Sequence, residues 1–520
     1  MRVSAGSGWR RGALAVAAGA LPALSFPAPS LWWWAYAALV PWLLLLRTAR
    51  SGGRAAVEGW LGGTGFLLAT HHWLAPSLHV FVVVVAALMG LLWAPWGWLV
   101  RRLLAGSPAP GRAVAAVVLV PSAWLVIELV RSWEYLGGPW ALLGASQWQV
   151  PPALRLASLG GVWLVTLWVV AANTALAVLV AVPGARRAAA AAAAVCVLVP
   201  AAAWAWAPLP RSSGTVRVAV VQPGVVAGAE ARFDAGERLT RGLADREVDL
   251  VVWGESSVGY DLEERPDLSE RLAALSARVG APLLVNVDAR RPGGPGIFKS
   301  SVAVGPQGPT GERYDKMRLV PFGEYVPARS LLGWATAVGR AAGEDRRRGD
   351  APVVMESVGV RTGPLVCFES AFPDTGRVLV REGAELLVAQ SATSTFQDSW
   401  APSQHASLAA LRAAEGGRPM VHATLTGVSA VHGPRGEPVG GRLGTERSGA
   451  AVYEVPLASG TTAYVRFGDW AVAAALGSLL SAAAVAAARR FRHGGLRRGG
   501  WGKRPPGARR AATGPAPARR

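Results

Sequence analysis

Eight apolar stretches, joined by connections that are alternately rich in arginine and almost free of it, leave this 520-residue chain few folds to choose from. Inside hydrocarbon every backbone N–H and C=O must be satisfied within the chain, so a crossing segment is a helix or part of a closed barrel. The stretches lie near Gly12–Phe26, Leu31–Leu46, Val57–Leu74, Val80–Val100, Ala113–Val130, Gly160–Val182, Ala188–Trp206 and Trp470–Ala488. Several approach the roughly 20 apolar residues that a helical crossing needs, although the first two are short. Gly12–Phe26 could serve as a signal peptide behind Arg10 and Arg11, but another span follows almost at once with no cleavage site between them.

Basic residues set the orientation. Arg2, Arg10 and Arg11 flank the first span. Arg47, Arg50 and Arg54 follow the second, Arg101, Arg102 and Arg112 the fourth, and Arg186 and Arg187 the sixth. Arg131 and Arg155, after the fifth, are the exceptions. A cytoplasmic N-terminus satisfies this pattern. The expected organisation is a seven-span membrane domain over residues 1–209, an extracytoplasmic domain over 210–467, an eighth span over 468–488 and a basic, disordered cytoplasmic tail over 489–520. That tail holds eleven basic residues and no acid, more than half of the net charge of +20. Concentrated there, the charge suits anionic lipid head groups. With no zinc spacing, phosphate loop or RNA-binding aromatic signature beside it, nucleic acid is excluded as a partner. The aromatic, Gly- and Pro-containing loop from Arg131 to Gln147 reads as an interfacial segment lying along the head groups, with Glu128 spaced to pair with Arg131 on a helix.

From Thr215 the composition changes. Strands are expected at Thr215–Gln222, Val248–Trp253, Pro282–Val287, Ser300–Val304, Pro364–Phe368, Glu385–Ala389 and Met420–Leu425. Helices are expected at Ala231–Asp245, Leu268–Val279 and Ser403–Glu415. The alternation argues for an α/β domain.

Three places in this domain carry chemistry. Cys367 ends an apolar run that turns at once into Phe-Glu-Ser, the way a buried strand delivers a nucleophile to a tight turn. The other cysteine, Cys196, lies in an Ala/Val-rich span, so Cys367 has no evident disulfide partner. Taken alone it could equally be a packed, inert thiol. Glu255 follows the apolar strand that ends at Trp253, where it could act as a base or cap a helix. Lys316 opens the run that continues to Glu324. The chain has only three lysines, Lys299, Lys316 and Lys503, so a lysine kept among arginines points to a compact, tunable ammonium rather than a surface charge. Glu324 could pair with Arg318. A carboxylate can accept a thiol proton, an ammonium can counter an oxyanion, and a thiolate can carry an acyl group. No histidine lies near Cys367 in sequence.

The run Tyr314-Asp-Lys-Met-Arg-Leu-Val-Pro-Phe-Gly-Glu-Tyr-Val-Pro327 is highly specific, and Gly138-Pro-Trp-Ala-Leu-Leu-Gly-Ala-Ser-Gln147 moderately so. On these motifs the chain resembles the apolipoprotein N-acyltransferases, bacterial membrane enzymes of the carbon–nitrogen hydrolase (nitrilase) superfamily, over nearly its whole length up to the tail. The resemblance implies an αββα sandwich held outside the plasma membrane by eight transmembrane helices. It implies Cys367 as nucleophile, Glu255 as general base, Lys316 as oxyanion stabiliser, and Glu324 and Glu369 as supporting carboxylates. The implied reaction moves a fatty acyl chain from a membrane phospholipid, through a thioester, to the N-terminal amine of a diacylglyceryl-cysteine apolipoprotein, with no cofactor and no metal. A membrane-anchored amidohydrolase of small molecules and a non-catalytic relative that binds lipids or lipoproteins are the other readings. The family usually has Trp-Pro-Glu at Trp253-Gly254-Glu255, Cys-Tyr-Glu at Cys367-Phe368-Glu369, and Ser-Asn-Asp-x-Trp-Phe where this chain has Gln390–Phe396. Glycine at 254 is expected to loosen the backbone before the base. The departure at 390–396 bears on substrate fit and rate more than on reaction class.

Overall fold

A computed structural model describes residues 8–290, 296–333, 343–356 and 358–498. Arg2, Lys503 and the tail beyond Arg498 therefore lie outside the described residues. The N-terminal region is helical: α1 (Gly8–Ala20), α2 (Val40–Arg47), α3 (Gly52–Thr70), the short α4 (Ala75–Leu78), α5 (Phe81–Gly90), α6 (Trp93–Leu104), α7 (Pro110–Arg131), α8 (Pro151–Ala181) and α9 (Arg186–Trp206). Among the described residues, four helices are long and apolar enough to cross a membrane: Pro110–Arg131, Pro151–Ala181, Pro183–Trp206 and Trp470–Arg490. A fifth is added if α5 and α6, bent by 42°, count as one span.

The second expected span is not one helix. A 3-10 turn over Trp32–Tyr36 precedes α2, and Asn173 of α8 satisfies the break. Its Oδ1 accepts from the Leu39 amide at 2.9 Å, and its Nδ2 donates to the Ala35 carbonyl at 2.7 Å. A buried amide thus replaces the ladder bonds that the irregular backbone gives up. Helix α8 also differs from the expected span, since it begins at Pro151 and is broken at Gly160 and Gly161, the latter with φ 70°. The loop after α7, expected to lie wholly along the head groups, is exposed only in its first half. Trp133 and Tyr135 are exposed, but Leu143–Gln147 is buried. Burial is stabilised by Glu128, which accepts from the Leu143 amide at 2.7 Å and from Trp124 Nε1 and Thr166 Oγ1, both at 2.9 Å. Arg131 donates to the Trp140 and Ala141 carbonyls and stands 3.9 Å from Glu128.

The α/β region has two sheets. The first, in the order β10-β1-β2-β3-β4-β5, comprises β1 (Arg211–Gln222), β2 (Leu250–Trp253), β3 (Leu283–Arg290), β4 (Ile297–Gly305), β5 (Gly308–Asp315) and β10 (Gly449–Ser459). The second, β6-β7-β8-β9, comprises β6 (Thr362–Val366), β7 (Leu386–Ser391), β8 (Met420–Thr424) and β9 (Ala430–His432). Strands β1, β2 and β3 run parallel, as do β6, β7 and β8. Strands buried on both faces need near-continuous apolar runs, which Val218–Val221 and Leu250–Trp253 supply.

The sheets meet through Val218, Val220, Val252 and Leu284 on one side and Val366, Val388 and Val421 on the other. Helices α10 (Ala229–Arg241) and α11 (Pro266–Val279) cover the first sheet through Phe233, Leu272 and Leu275. Leu379 of α13 (Pro373–Arg381) and Ala409 and Ala413 of α14 (Ala401–Gly416) cover the second. The layers are therefore helix, sheet, sheet, helix. The short α12 (Arg329–Leu332) and α15 (Ala463–Phe467) follow the chain order, and α16 (Trp470–Arg498) completes it. The expected strands and helices are present with shifted ends. Strands β5, β9 and β10 were not foreseen.

The two regions share one core. Phe368, Phe372, Leu408 and Leu411 from the α/β region pack with Trp124, Leu143 and Val162 of the apolar helices. A polar contact reinforces it: Glu415 of α14 accepts from the Val162 amide at 2.7 Å, capping the half of α8 that restarts after its glycine break. Arg412 holds Glu415 at 3.0 Å and donates to the Ala371 carbonyl at 3.0 Å. Burial raises the Glu415 carboxyl to about 7 against the opposing pull of Arg412.

Three buried histidines add a pH-dependent term. Burial holds His405 and His432 at about 4 and His422 well below its ordinary value. The unfolded chain takes up these protons near pH 6.5, the folded protein only near 4 or lower. Their contribution is complete above about pH 6.5 and is lost as pH falls toward 4. Glu415, raised in the fold, acts with the opposite sign, so a difference measurement isolates one histidine. Relative to the unsubstituted protein, His422→Leu should gain in melting temperature as pH falls from 7 to 5, measured by thermal unfolding in detergent.

Candidate active site

Three strands of the two sheets end near one another, and each is followed by a chemically active side chain. Glu255 lies two residues beyond β2, with its amide donating to the Ser391 carbonyl at 3.2 Å. Lys316 directly follows β5, tied through its amide to the Lys299 carbonyl at 2.9 Å. Cys367 directly follows β6 and opens a 3-10 turn over Cys367–Ala371. Its φ of 50° puts a non-glycine residue in the left-handed region, at a cost of roughly 1–2 kcal/mol. Local strain of this kind concentrates at functional turns, where the surroundings must hold it.

The surroundings do hold it. Glu369 Oε2 accepts from the Val366 amide at 2.7 Å, while its Oε1 accepts from Tyr314 Oη and the Met317 amide at 2.7 Å and from the Arg318 amide at 3.1 Å. This one buried carboxylate pins the cysteine turn to the segment that carries Lys316. Ser370 Oγ donates to the Cys367 carbonyl at 2.9 Å, and His405 Nε2 lies 3.1 Å from the same oxygen. His405 therefore braces the cysteine backbone and is no partner of the thiol.

The charged groups converge on one oxygen. Lys316 Nζ donates to Glu255 Oε1 at 3.1 Å and to Glu324 Oε1 at 2.7 Å, and is fully buried. Lys299 Nζ donates to the same Glu255 oxygen at 2.9 Å and lies 3.4 Å from Glu324 and 3.7 Å from Asp288. Glu324 is fixed in turn by the Val320 amide, 2.8 Å from Oε2. It does not pair with Arg318, which reaches Asp374. Nor is Glu255 a helix cap, since its carboxylate is spent on the two lysines.

The electrostatics follow from these contacts. Burial opposes the charge on Glu255, but Lys299 and Lys316 outweigh it and hold the carboxyl down at about 2. Burial likewise opposes the Lys316 ammonium, and Glu255, Glu324 and Cys367 reverse the balance and raise it. Cys367 is partly exposed. Desolvation, with Glu255 adding to it, still pushes its thiol up to about 12 against Lys316. At rest the centre holds a neutral thiol beside an ionised carboxylate and an ammonium.

Of the residues expected from the sequence, Glu255, Lys316 and Glu324 are in direct contact, and Cys367 is within electrostatic range of all three. Glu369 stands behind the cysteine turn. Sequence reasoning noted the rarity of Lys299 but did not place it in the site, and it missed Asp288, Ser370 and His405. The lysine was findable from the scarcity of that residue type. The others depend on register and packing that no local motif carries. Among the described residues no cluster of His, Cys, Asp and Glu has the geometry to hold a metal ion.

All three departures have structural roles. A Cβ on Gly254 would stand 1.9 Å from the Leu425 amide nitrogen, so glycine admits the end of β8 close to Glu255. The expectation of a loosened backbone is corrected: the position is tightly packed. Phe368 lies with Phe372 at a ring separation of 4.9 Å and closes against Gly138. An apolar ring suits that shared core better than a hydroxyl. In the 390–396 segment, Gln390 Nε2 donates to the Trp253 and Leu284 carbonyls at 2.8 and 3.0 Å, joining the two sheets. Phe396 packs on Trp73 of the helical region at 5.0 Å.

Comparison with known proteins is consistent along the chain. Residues 18–175 match the family profile described as apolipoprotein N-acyltransferase N-terminal domain, and residues 217–464 match that of the carbon–nitrogen hydrolases. The apolipoprotein N-acyltransferase of Azotobacter vinelandii is 32% identical, over 90% of this chain and 93% of its own. That of Pseudomonas aeruginosa is 31% identical, over 92% and 96%, and that of Geobacter metallireducens 29%, over 92% and 95%. Among solved structures, an amidase from Nesterenkonia sp. aligns at 20% identity with a TM-score of 0.35, covering 48% of this chain and 94% of its own.

Proposed function

The chain belongs to the apolipoprotein N-acyltransferase family, and from that premise we propose that it N-acylates apolipoproteins in two steps through Cys367. In the first step the sulfur attacks the carbonyl carbon of a phospholipid acyl ester, and the thiol proton passes to Glu255. The oxyanion forms beside Lys316, whose ammonium has three donors, of which Glu255 and Glu324 engage two. The C–O bond breaks, the lysophospholipid alkoxide takes the proton from Glu255, and a thioester remains. In the second step the α-amine of a diacylglyceryl-cysteine attacks the thioester, giving its proton to Glu255. The C–S bond breaks, an amide forms and the proton returns to sulfur.

The observation that carries this reading is the sharing of Glu255 and Glu324 by Lys316 within electrostatic range of a cysteine held at positive φ. A thiol raised to about 12 is inert until charge develops on a substrate carbonyl beside Lys316, which limits side reactions at rest. Support for lipid substrates comes from the turn itself, because Phe368 and Phe372 belong to the core of the apolar helices. An acyl chain entering beside those helices meets apolar side chains next to the sulfur, and apolar walls keep water from the thioester.

On this reading residues 1–209 and 468–488 are embedded in the plasma membrane, with residues 210–467 on its outer side and the basic tail inside. The clusters of arginine at alternate connections support that orientation.

The test is intact mass spectrometry of the purified protein in detergent after incubation with phospholipid. One fatty acyl adduct on Cys367 should accumulate and discharge onto a diacylated peptide bearing a free N-terminal amine. Ammonia release from simple amides with no adduct transfer would establish a hydrolase instead.

A further inference from the structure

Lys299 is the cation in contact with Glu255 that the sequence motifs do not account for, and its position is set by the sheet. It lies on β4 directly opposite Asp288 of β3 in the antiparallel register. From there Nζ reaches Glu255 Oε1 at 2.9 Å and Ser256 Oγ at 3.2 Å. Ser256 has φ 56° and donates from Oγ to Asp288 Oδ2 at 3.0 Å. Asp288 also pairs with Arg346 at 3.2 Å. Glu255 is thus held by two ammonium groups, and both take the same oxygen, Oε1. Among the described residues no hydrogen bond falls on Oε2 from either lysine.

We propose that Lys299 is a positioning residue for acyl transfer, one that anchors Glu255 by Oε1 so that Oε2 is presented to the thiol and then to the incoming amine. The inference rests on Glu255 being the base. Division of labour follows from the geometry. Lys316 turns its third donor to the oxyanion, which draws the ammonium toward the substrate, and Lys299, braced by Asp288 and Ser256, keeps the carboxylate in place while it does so. A carboxylate held by Lys316 alone would follow that ammonium as it is drawn to the oxyanion. Misplacement on the scale of 1 Å costs on the order of a hundredfold in rate.

The groups facing Glu255 are Lys299 of β4, Asp288 of β3, Lys316 and Glu324 of the 314–327 segment, Cys367 beyond β6, and His405 of α14. Removing Lys299 takes away one of the two cations that keep Glu255 ionised, so the carboxyl should take up a proton at higher pH. Loss of the same cation makes the Cys367 thiolate harder to form.

Lys299→Met tests this, with Lys299→Gln as the variant that keeps hydrogen-bond donors without the charge. Folding is checked by melting temperature in detergent. In folded variant, kcat should fall by about ten- to a hundredfold, with little change in KM for phospholipid. The acid limb of kcat/KM should move up by at least one pH unit, and alkylation of Cys367 by iodoacetamide at fixed pH should slow. Glutamine should recover part of kcat but none of the shift in the limb. A folded variant with the original acid limb and alkylation rate overturns the proposal. Glu255→Gln separates the two readings. If it still transfers acyl groups, Glu255 is not the base; if it is inactive while Lys299→Met keeps the original pH profile, only the role of Lys299 fails.

Discussion

Cys367→Ala should abolish acyl transfer and leave no acyl adduct on the protein, with a loss of roughly four orders of magnitude or more. Removing a nucleophile deletes the covalent intermediate outright, and neither Lys316 nor Glu255 can substitute for sulfur. Alanine is small enough for the turn, and the contacts that fix the turn come from Glu369, Ser370 and His405, all of which remain. Melting temperature in detergent should therefore change little. Transfer measured with phospholipid and a diacylated peptide checks the rate, and intact mass checks the adduct. Full activity in this variant would remove the thioester mechanism altogether.

The second large effect is on stability. Gly254→Ala should lower folding stability by about 3 kcal/mol or more, because the new methyl would sit 1.9 Å from the Leu425 backbone nitrogen. Backbone cannot step aside as a flexible side chain can. Leu425 donates to the Ser391 carbonyl at 2.8 Å and accepts from the Gly224 amide at 2.9 Å, so moving it breaks the joint between the sheets. Glu255 is anchored to the same Ser391 carbonyl, so the base would be displaced along with the strand. For a region of this size the melting temperature should drop by roughly 5–10 °C, with activity falling in the protein that remains folded. An unchanged melting temperature would show that β8 has room to move.

Cys367 and Glu255 were legible because each sits just past the end of a strand, and those strand ends can be read from apolar runs that stop abruptly; Lys316 was legible from the scarcity of lysine and from the run that carries it. The alternation of strands and helices made the α/β class legible, while the two-sheet sandwich came only from the resemblance. What escaped was whatever depends on pairing between distant segments. Strand β5, Gly-Pro-Thr-Gly-Glu-Arg-Tyr-Asp, has the composition of a loop and forms at the sheet edge through its pairing with β4. Strand β10 joins β1 from more than two hundred residues away. Lys299 meets Glu255 only because the β3–β4 register sets it opposite Asp288. Among the spans, the break before α2 was hidden because Asn173, which makes it tolerable, lies in another helix.

The cap that Glu415 places on α8 makes the catalytic half inseparable from its anchor. Severing the chain near Pro210 to obtain a soluble fragment would strand this carboxylate without the Val162 amide and bare the faces of Phe368, Phe372, Leu408 and Leu411 to water. Arg412, which stays paired with Glu415 and grips the carbonyl of Ala371, four residues past the sulfur, would pass the loss of that anchor to the cysteine turn. Such a fragment would aggregate, and whatever stayed in solution would carry a slack, misaligned thiol. The apolar helices are part of the scaffold that holds the cysteine turn.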